Sequence, residues 1–334
     1  MIGLVVGIVV LAMTVGGVVG IGLTRDRPPP GGTSAHPAPH GAGPSGEDPP
    51  GENYVPIESV PAAPRPAPVA TGTYTAHCGN NEQGHYNSDN VIVAPGVVNA
   101  AHHLHDYVGN TDTSASSTDR SLAAAATTCR DTGDSSAYFW TVLRDRTDPE
   151  GQRRFPGEEA ADRNVGVVLR PRVSLVFSGN PYAPVVAPPR LLRVLSGDAK
   201  AATNGGGYAR ASYTCAGFTD RVTSDVYPLC PLGRGLMRVL EFPSCWDGRN
   251  VDSANHRTHV VHADTRGRCP AGTVPIPKLT MTLTYDVPTG PSFAIDTFPD
   301  QRHEPITDHG DFLNLRTPES TARLVACINS GRRC

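Results

Sequence analysis

The sequence is poor in aromatic residues, in lysines and in charge of either sign. Aromatic residues make up 6% and charged residues 18% of the 334 residues, and Lys200 and Lys278 are the only lysines. The formal net charge is -3, so the chain lacks the basic excess that usually marks a surface for a nucleic-acid backbone. We therefore expect no nucleic-acid partner.

The Cys-x-x-Cys spacing is also absent, which argues against a zinc ribbon or a thioredoxin-type redox motif. The chain instead has 8 widely spaced cysteines. An even number of cysteines in a loop-rich chain is typical of disulfides formed in an oxidising compartment, whereas the alternative is a set of buried free thiols. We predict an extracellular location and four disulfides between neighbours along the chain: Cys78–Cys129, Cys215–Cys230, Cys245–Cys269 and Cys327–Cys334.

The N-terminal segment 1–23 contains no charged residue and is long enough to cross a bilayer. A cleaved signal peptide usually has a basic start and a small-x-small cleavage site, and neither is clear here. The sequence therefore favours a transmembrane anchor, with a signal sequence as the alternative. Arg25 and Arg27 would keep the following chain inside the cell by the positive-inside rule, but the cysteines favour the outside.

Residues 24–70 are rich in Pro, Gly, Ala and Ser. Such a composition offers little to bury and predicts a disordered linker that acts as a stalk. We expect one disulfide-bonded folded domain over 71–334. The totals of 35 Gly and 32 Pro favour short elements and long connections in it.

Short apolar or alternating runs between turn signals indicate a mainly β fold. The predicted strands are NVIVAP, SAYFWTVLRD, VGVVLRP, SLVFSG, LLRVLSG, GLMRVLEF, THVVHAD, LTMTLTYDV and SFAIDTF. Helices are predicted only near Ser121 and from Thr317, where Thr317 is a candidate N-cap. Many strands with few crossover helices favour a single antiparallel sandwich or jelly-roll-like domain with long loops.

Three stretches contain most of the residues capable of chemistry. In an extended first stretch, His103 and His105 would project from the same face. The second stretch, Cys245–His259, combines two carboxylates, a tryptophan and two histidines, and the third is Asp308–Phe312. The plain alternative is that these residues are structural, because loops rich in Asp, Asn and Gly are often only turns.

These stretches resemble a known family. The segments HCGNNEQGHYN, AHHLHDYVGN, RVLEFPSCWDGRNVDSANHRTHV and DHGDFLN are similar to the DUF1996 family, a domain of unknown function found in secreted bacterial and fungal proteins. The resemblance covers most of the chain between His77 and Cys327. The family's motifs fall on His103 and His105, on Phe242–Ser253 with His256 and His259, and on His309–Phe312. The resemblance implies secretion but no particular activity.

Two functions of different classes fit these residues. The first is a glycan-active hydrolase or lyase, because a pair of carboxylates can supply the acid and the base of glycosidic cleavage. Its candidate catalytic residues are Asp247, Asp252, His256, His309 and Asp311, and its candidate substrate contacts are Trp246, Asn250 and Tyr107. The second is a non-catalytic cell-wall carbohydrate-binding or sensing module. The expected partners are a cell-wall or environmental polysaccharide and, through the N-terminal segment, a membrane.

A divalent metal ion is the candidate cofactor, with His103, His105 and His259 as predicted ligands, because three imidazoles with an open position suit a catalytic ion. Without a metal, Asp247 and Asp311 would form the acid/base pair. Buried imidazoles and carboxylates are unfavourable unless they are paired or bind an ion. We therefore predict that one pocket collects these histidines and carboxylates: His103, His105, Asp247, Asp252, His256, His259, His309 and Asp311.

Overall fold

The computed structural model of the protein describes residues 53–63, 71–148 and 164–334. Within these ranges the chain is mainly β and contains two α-helices. The predicted anchor over 1–23 and most of the predicted linker over 24–70 lie outside the described residues. Within the three described ranges, no helix has both the length and the apolar character needed to cross a membrane.

The strands are short, as the high Gly and Pro content predicts. In chain order they are β1 (Tyr54–Pro56), β2 (Thr73–Ala76), β3 (Tyr86–Asn87), β4 (His105–Gly109), β5 (Ala137–Thr141), β6 (Leu143–Asp145), β7 (Val167–Leu169), β8 (Arg172–Ser178), β9 (Arg193–Gly197), β10 (Tyr213–Cys215), β11 (Tyr227–Leu229), β12 (Leu236–Glu241), β13 (Cys245–Trp246), β14 (Val260–Val261), β15 (Val274–Pro275), β16 (Lys278–Tyr285), β17 (Phe293–Ile295) and β18 (His309–Leu313). The helices are α1 (Asp119–Ala124) and α2 (Pro318–Asn329).

Two five-stranded antiparallel sheets form the body of the domain. Sheet I has the order β10-β12-β16-β8-β2, and sheet II has the order β3-β4-β5-β18-β9. The described residues also form two three-stranded antiparallel sheets, β14-β13-β15 and β17-β6-β7, and the parallel pair β1-β11. In β16, buried Leu279, Met281, Leu283 and Tyr285 alternate with half-buried residues, as expected for a strand with one buried face.

Sheet II is buried on both faces, and this arrangement positions the site. Tyr138 and Phe312 project into the main core, which they share with Met281 of sheet I. Because successive side chains of a strand point to opposite faces, their neighbours Phe139 and Leu313 lie on the other face. There they pack in a second cluster with residues of the 88–104 loop.

The folded region begins earlier than the predicted boundary at residue 71. Tyr54–Pro56 pairs with Tyr227–Leu229, the Tyr54 hydroxyl donates to the carbonyl of Phe293, and Ile57 is fully buried. Residues 53–63 are therefore part of the fold, and the linker expected over 24–70 does not extend through them. The physical reason is that this Pro-rich stretch contains a few apolar side chains with a place in the core.

One predicted strand is absent, and the predicted helix cap and disulfides are confirmed. The NVIVAP segment forms turns, because the Asn90 Oδ1 accepts the backbone N–H groups of Ile92 and Val93. Thr317 caps α2 by accepting the N–H of Ser320 at 3.2 Å. All eight cysteines form the four predicted disulfides, which is consistent with an extracellular location.

Candidate metal centre

Two strands of sheet II bring two of the histidines together. His105 opens β4 and pairs with Thr141 of β5, while Gly310 of β18 pairs with Trp140 on the other side of β5. His309 therefore lies beside Thr141, in one row with His105 and on the same face of the sheet. The small Thr141 side chain between them leaves room for the two rings to meet above it.

A strained loop supplies the third histidine. His103 lies just before β4, and the loop that leads to it has Asn99 and His102 in the left-handed backbone region, with φ of 57° and 54°. This conformation is unfavourable for residues other than glycine, and it often occurs at functional sites. The Asp89 carboxylate fixes the loop by accepting the N–H groups of Asn99 and Ala115, each at 2.7 Å.

The three Nε2 atoms converge on one point. The distances are 3.0 Å from His103 to His309, 3.2 Å from His103 to His105 and 3.5 Å from His105 to His309. Ligand atoms at about 2.0–2.1 Å from a tetrahedral zinc ion lie about 3.3 Å apart. The rings are also nearly perpendicular to one another, with interplanar angles of 79–87°. We refer to His103, His105 and His309 as the histidine cluster.

The cluster directs unprotonated nitrogens at one another. His105 Nδ1 is 2.9 Å from the carbonyl oxygen of Asp89, and His309 Nδ1 is 3.0 Å from that of Thr307. Because a carbonyl only accepts, the ring proton of each is on Nδ1 and each Nε2 presents a lone pair. Burial, together with the neighbouring His309, lowers the pKa of His105 to about 3. The His105 ring is therefore neutral at neutral pH, and its Nε2 carries no proton.

The pKa values of the other two rings are lowered by the same causes. Burial and then the charges of His105 and His309 place the pKa of His103 well below its ordinary value, and burial lowers that of His309. His103 Nδ1 is buried without a hydrogen-bond partner of good geometry. Three neutral imidazoles whose Nε2 atoms face one another are the donor set that a divalent transition-metal ion binds.

Two buried ion pairs hold the backbone that carries the cluster. Arg144 pairs with Asp296, whose Oδ2 also accepts the N–H of Leu104, between two of the histidines. Arg238 pairs with Asp308, the residue before His309. Breaking such a buried pair by removing one partner typically destabilises a protein by about 3–5 kcal/mol. The pairs therefore keep the ligand-bearing backbone in place.

Close strand packing at His309 depends on a glycine. Gly197 of β9 is opposite His309 and has a φ of 80°. A Cβ atom at this position would lie 2.0 Å from the carbonyl oxygen of Asp308. Glycine therefore permits both the left-handed conformation and the close approach of β9 to β18, the strand that carries His309.

The cluster opens on a cleft of about 470 Å³. The cleft is lined by His103 and His309 of the cluster and by His102, His256, Phe298 and Asp311, among others. Asp311 is buried, and its Oδ2 has no hydrogen-bond partner. Burial raises the pKa of Asp311 to about 7, although a hydrogen bond from Asn90 and the charge of Arg257 act to lower it. A buried carboxylate that faces a cleft with one oxygen lacking a partner is typical of a site rather than of a core.

Part of the predicted second stretch reaches this cleft. His256 lines it, and the His256 Nδ1 is 2.9 Å from the Asp252 carboxylate, which is itself 4.0 Å from the Nε of Arg193. His256 also has a left-handed backbone, with a φ of 54°. The Asp252 carboxylate therefore bonds to the His256 ring and fixes its orientation.

His259 was expected to be the third metal ligand, but it lies outside the histidine cluster. Its Nδ1 is 2.9 Å from the Ser253 hydroxyl, and its Nε2 is 2.6 Å from the carbonyl oxygen of Arg193. Both ring nitrogens are occupied, so His259 fixes the loop to β9. The third position beside His103 and His105 is occupied by His309.

Four other predicted residues do not line the cleft. The Asp247 carboxylate accepts the N–H groups of Arg249 and Asn250, and the Trp246 indole donates to the Asn250 carbonyl at 2.7 Å, so this segment closes on itself. Tyr107 is buried, and its hydroxyl donates to Asn87 and to the carbonyl of Asp89. The single-pocket prediction therefore needs correction at Asp247, Asp252 and His259, none of which lines the cleft. The substrate contacts predicted at Trp246, Asn250 and Tyr107 have structural partners here.

The sequence analysis did not single out two cations and an aromatic residue that line the cleft. Lys200, Arg257 and Phe298 belong to three separate segments that no spacing rule connects. The rarity of lysine in this chain is the one signal that could have drawn attention to Lys200.

Comparison with known proteins gives one match. The sequence profile of the family described as a domain of unknown function, DUF1996, matches residues 90–314. The matched range contains the whole histidine cluster, His256 and Asp311, and it begins after the HCGNNEQGHYN segment. No curated protein and no solved structure matches the chain significantly.

Proposed function

The chain belongs to the DUF1996 family, and we propose that it is an extracellular enzyme that uses a divalent metal ion to cleave glycosidic bonds. The convergence of three buried Nε2 atoms, 3.0–3.5 Å apart, carries this proposal. The Nε2 lone pairs of His105 and His309 point to the same place and repel one another, and a cation there would remove the repulsion. Imidazole ligands favour zinc or another first-row transition metal over calcium or magnesium.

Three protein ligands leave a metal position open, which is the arrangement of catalytic rather than structural zinc sites. Such an ion acts as a Lewis acid and acidifies a bound water. Asp311 is two residues from His309 on the same face of β18, and its unpaired Oδ2 is suited to accept a proton. His256, held by Asp252, is suited to return a proton to the leaving oxygen.

The proposal allows two reactions, hydrolysis and elimination, and both use these groups. In hydrolysis, water attacks the anomeric carbon and gives its proton to Asp311, while the bond to the leaving sugar oxygen breaks and that oxygen takes a proton from His256. In a lyase, the base removes a carbon-bound proton next to a carboxylate, and the same kind of bond breaks by elimination. The reaction products distinguish the two routes, because only elimination leaves a carbon–carbon double bond.

A non-catalytic carbohydrate-binding or sensing module is the second candidate. Such modules present aromatic faces to sugar rings, and among the residues that line this cleft Phe298 is the only Phe, Tyr or Trp. The Trp246 indole N–H is bonded to its own loop. The buried, unpaired Asp311 also favours chemistry over simple binding.

The setting of the domain supports an extracellular substrate. Four disulfides suit an oxidising compartment. The uncharged segment 1–23 would anchor the protein in a membrane or direct its secretion, and the Pro-rich residues up to 52 would act as a stalk. A cell-wall or environmental polysaccharide is then the partner. The shared core of sheets I and II supports an antiparallel sandwich as the finer description of the fold.

The test is a panel of wall polysaccharides incubated with the purified protein, with added zinc or with chelator. We expect cleavage products only when metal is present, and their loss in His309→Gln. Unsaturated products would identify a lyase, and new reducing ends without unsaturation would identify a hydrolase. Binding without cleavage, unaffected by chelator, would contradict the proposal and favour the binding module.

A further inference from the structure

The two lysines of the chain differ in their partners. Lys278 forms an exposed ion pair with Glu241 at 3.1 Å, where β16 begins and β12 ends in sheet I. Lys200 lines the cleft, and its Nζ lies 4.9 Å from the centre of the Phe298 ring. Among the residues that the structure describes, no carboxylate pairs with Lys200. Its charge is therefore available to a ligand in the cleft.

A second cation stands in the same cleft. One Nη of Arg257 donates to the carbonyl of Gly197 at 2.8 Å, and the guanidinium lies 4.7 Å from the centre of the Tyr208 ring. These contacts hold the charge close to the strand that carries the cluster. Arg257 lines the same cleft as His309 and Asp311.

Among the described residues, the two acidic residues that line the cleft, Asp198 and Asp311, form no ion pair with Lys200 or Arg257. The Asp198 carboxylate is used within its own loop, where it accepts the backbone N–H of Lys200 at 3.0 Å and the Asn204 amide at 2.9 Å. Asp311 lies deep beside the cluster and is buried. With a divalent ion on the three neutral histidines, the cleft would carry a net positive charge that attracts anions.

We propose that the cleft binds a glycan through an anionic group, a carboxylate or a phosphate, that Lys200 and Arg257 receive beside the metal position. The glycan part of this inference rests on the proposed function, while the anion part rests on the two cations. A guanidinium and an ammonium are the groups that proteins use to bind carboxylates and phosphates. Uronate-containing polysaccharides and phosphate-bearing wall polymers are the two substrate classes with this chemistry.

The experiment measures binding by calorimetry to the zinc-loaded protein and to the same protein after metal removal. The probes are a galacturonate oligomer, a galactose oligomer of equal length that lacks the carboxylates, and inorganic phosphate. The variants are Lys200→Met, Lys200→Arg and Arg257→Gln, with Lys278→Met as the matched control. The thermal unfolding midpoint and the zinc content of each variant show whether it is folded and retains its metal.

We expect the acidic oligomer to bind at least about tenfold more tightly than the neutral one, because hydrogen bonds to charged groups are strong. Lys200→Met and Arg257→Gln should each remove about tenfold or more of this affinity. Lys200→Arg should restore it, and Lys278→Met should leave it unchanged. Phosphate that binds more tightly than the galacturonate oligomer would identify the phosphate class as the source, and the reverse would identify the uronate class.

The inference would be overturned if neither the galacturonate oligomer nor phosphate bound more tightly than the neutral oligomer. Equal effects of Lys200→Met and Lys278→Met would also overturn it. The proposed function fails by a different result, which is absence of stoichiometric zinc in the wild-type protein. Anion binding in the metal-free protein is measured separately. Failure of the metal and failure of the anion site are therefore distinguishable.

Discussion

His103 and His309 place their Nε2 atoms 3.0 Å apart although 206 positions separate them in the chain. The first lies in a strained loop before β4, and the second opens β18. Only the pairing of both β4 and β18 with β5 brings them together. The site therefore depends on the completed fold of sheet II.

Replacement by glutamine should affect zinc affinity differently at His309, which belongs to the histidine cluster, and at His259, which does not. His309→Gln removes a ligand, so we expect zinc affinity to fall by more than about 100-fold, because loss of an outer-shell partner alone costs about 10–100-fold. His259→Gln should leave zinc affinity unchanged, since both nitrogens of His259 already have protein partners. Competition with a zinc-binding dye measures both. Equal losses in the two variants would refute the assignment of His309 over His259.

Asp311 should matter for the reaction and not for metal retention. Asp311→Asn keeps the shape of the side chain but removes a proton acceptor, so we expect kcat/KM to fall about 10²–10⁴-fold with zinc content unchanged. Asp252→Asn is the control, because Asp252 contacts His256 and, unlike Asp311, does not line the cleft. Its effect should be smaller. An Asp311→Asn variant with full activity would exclude Asp311 as the base.

Ile57 should contribute to the stability of the domain although it lies in a Pro-rich segment. Its side chain is fully buried beside Cys215 and Val60. We expect Ile57→Ala to lower the free energy of unfolding by about 2–5 kcal/mol, as core truncations do. Ser59→Ala, at an exposed neighbour, should change it by less than about 0.5 kcal/mol. Urea unfolding compares the two, and equal small effects would mean that 53–63 does not pack as described.

His262 should contribute to the loss of folding stability at acidic pH. Burial and then the charge of Arg210 lower the pKa of His262 from 6.5 to about 4. The unfolded chain binds more protons between these pH values, so stability falls as the pH drops from about 6.5 to 4. We expect a shallower fall in His262→Gln than in the wild type, measured by urea unfolding of metal-free protein. Parallel curves would contradict the assignment.

Local patterns in the sequence were informative where the structure depends on local rules. The alternation in β16, the Thr317 cap and the four disulfides between neighbouring cysteines are examples. The His103-x-His105 spacing belongs with them, because both rings reach one point. Even so, the predicted NVIVAP strand forms turns instead, because the Asn90 side chain accepts backbone N–H groups that a strand would use for pairing.

The remainder of the site could not be predicted because it depends on non-local pairing. Nothing in the spacing of His259 and His309 shows which of the two completes the cluster; the register of β5 with β18 decides it. Lys200 and Arg257 likewise enter the cleft from separate loops. Ile57 was assigned to the linker because average composition conceals a few buried residues in a Pro-rich segment.

The central claim is that His103, His105 and His309 bind one divalent metal ion. Crystals of the protein soaked with zinc, with anomalous diffraction recorded at the zinc edge, test it most directly. We predict one strong peak at about 2.0–2.1 Å from each of the three Nε2 atoms, with an open position toward the cleft. No peak at the cluster, or a peak only at His256 or His259, would contradict the account.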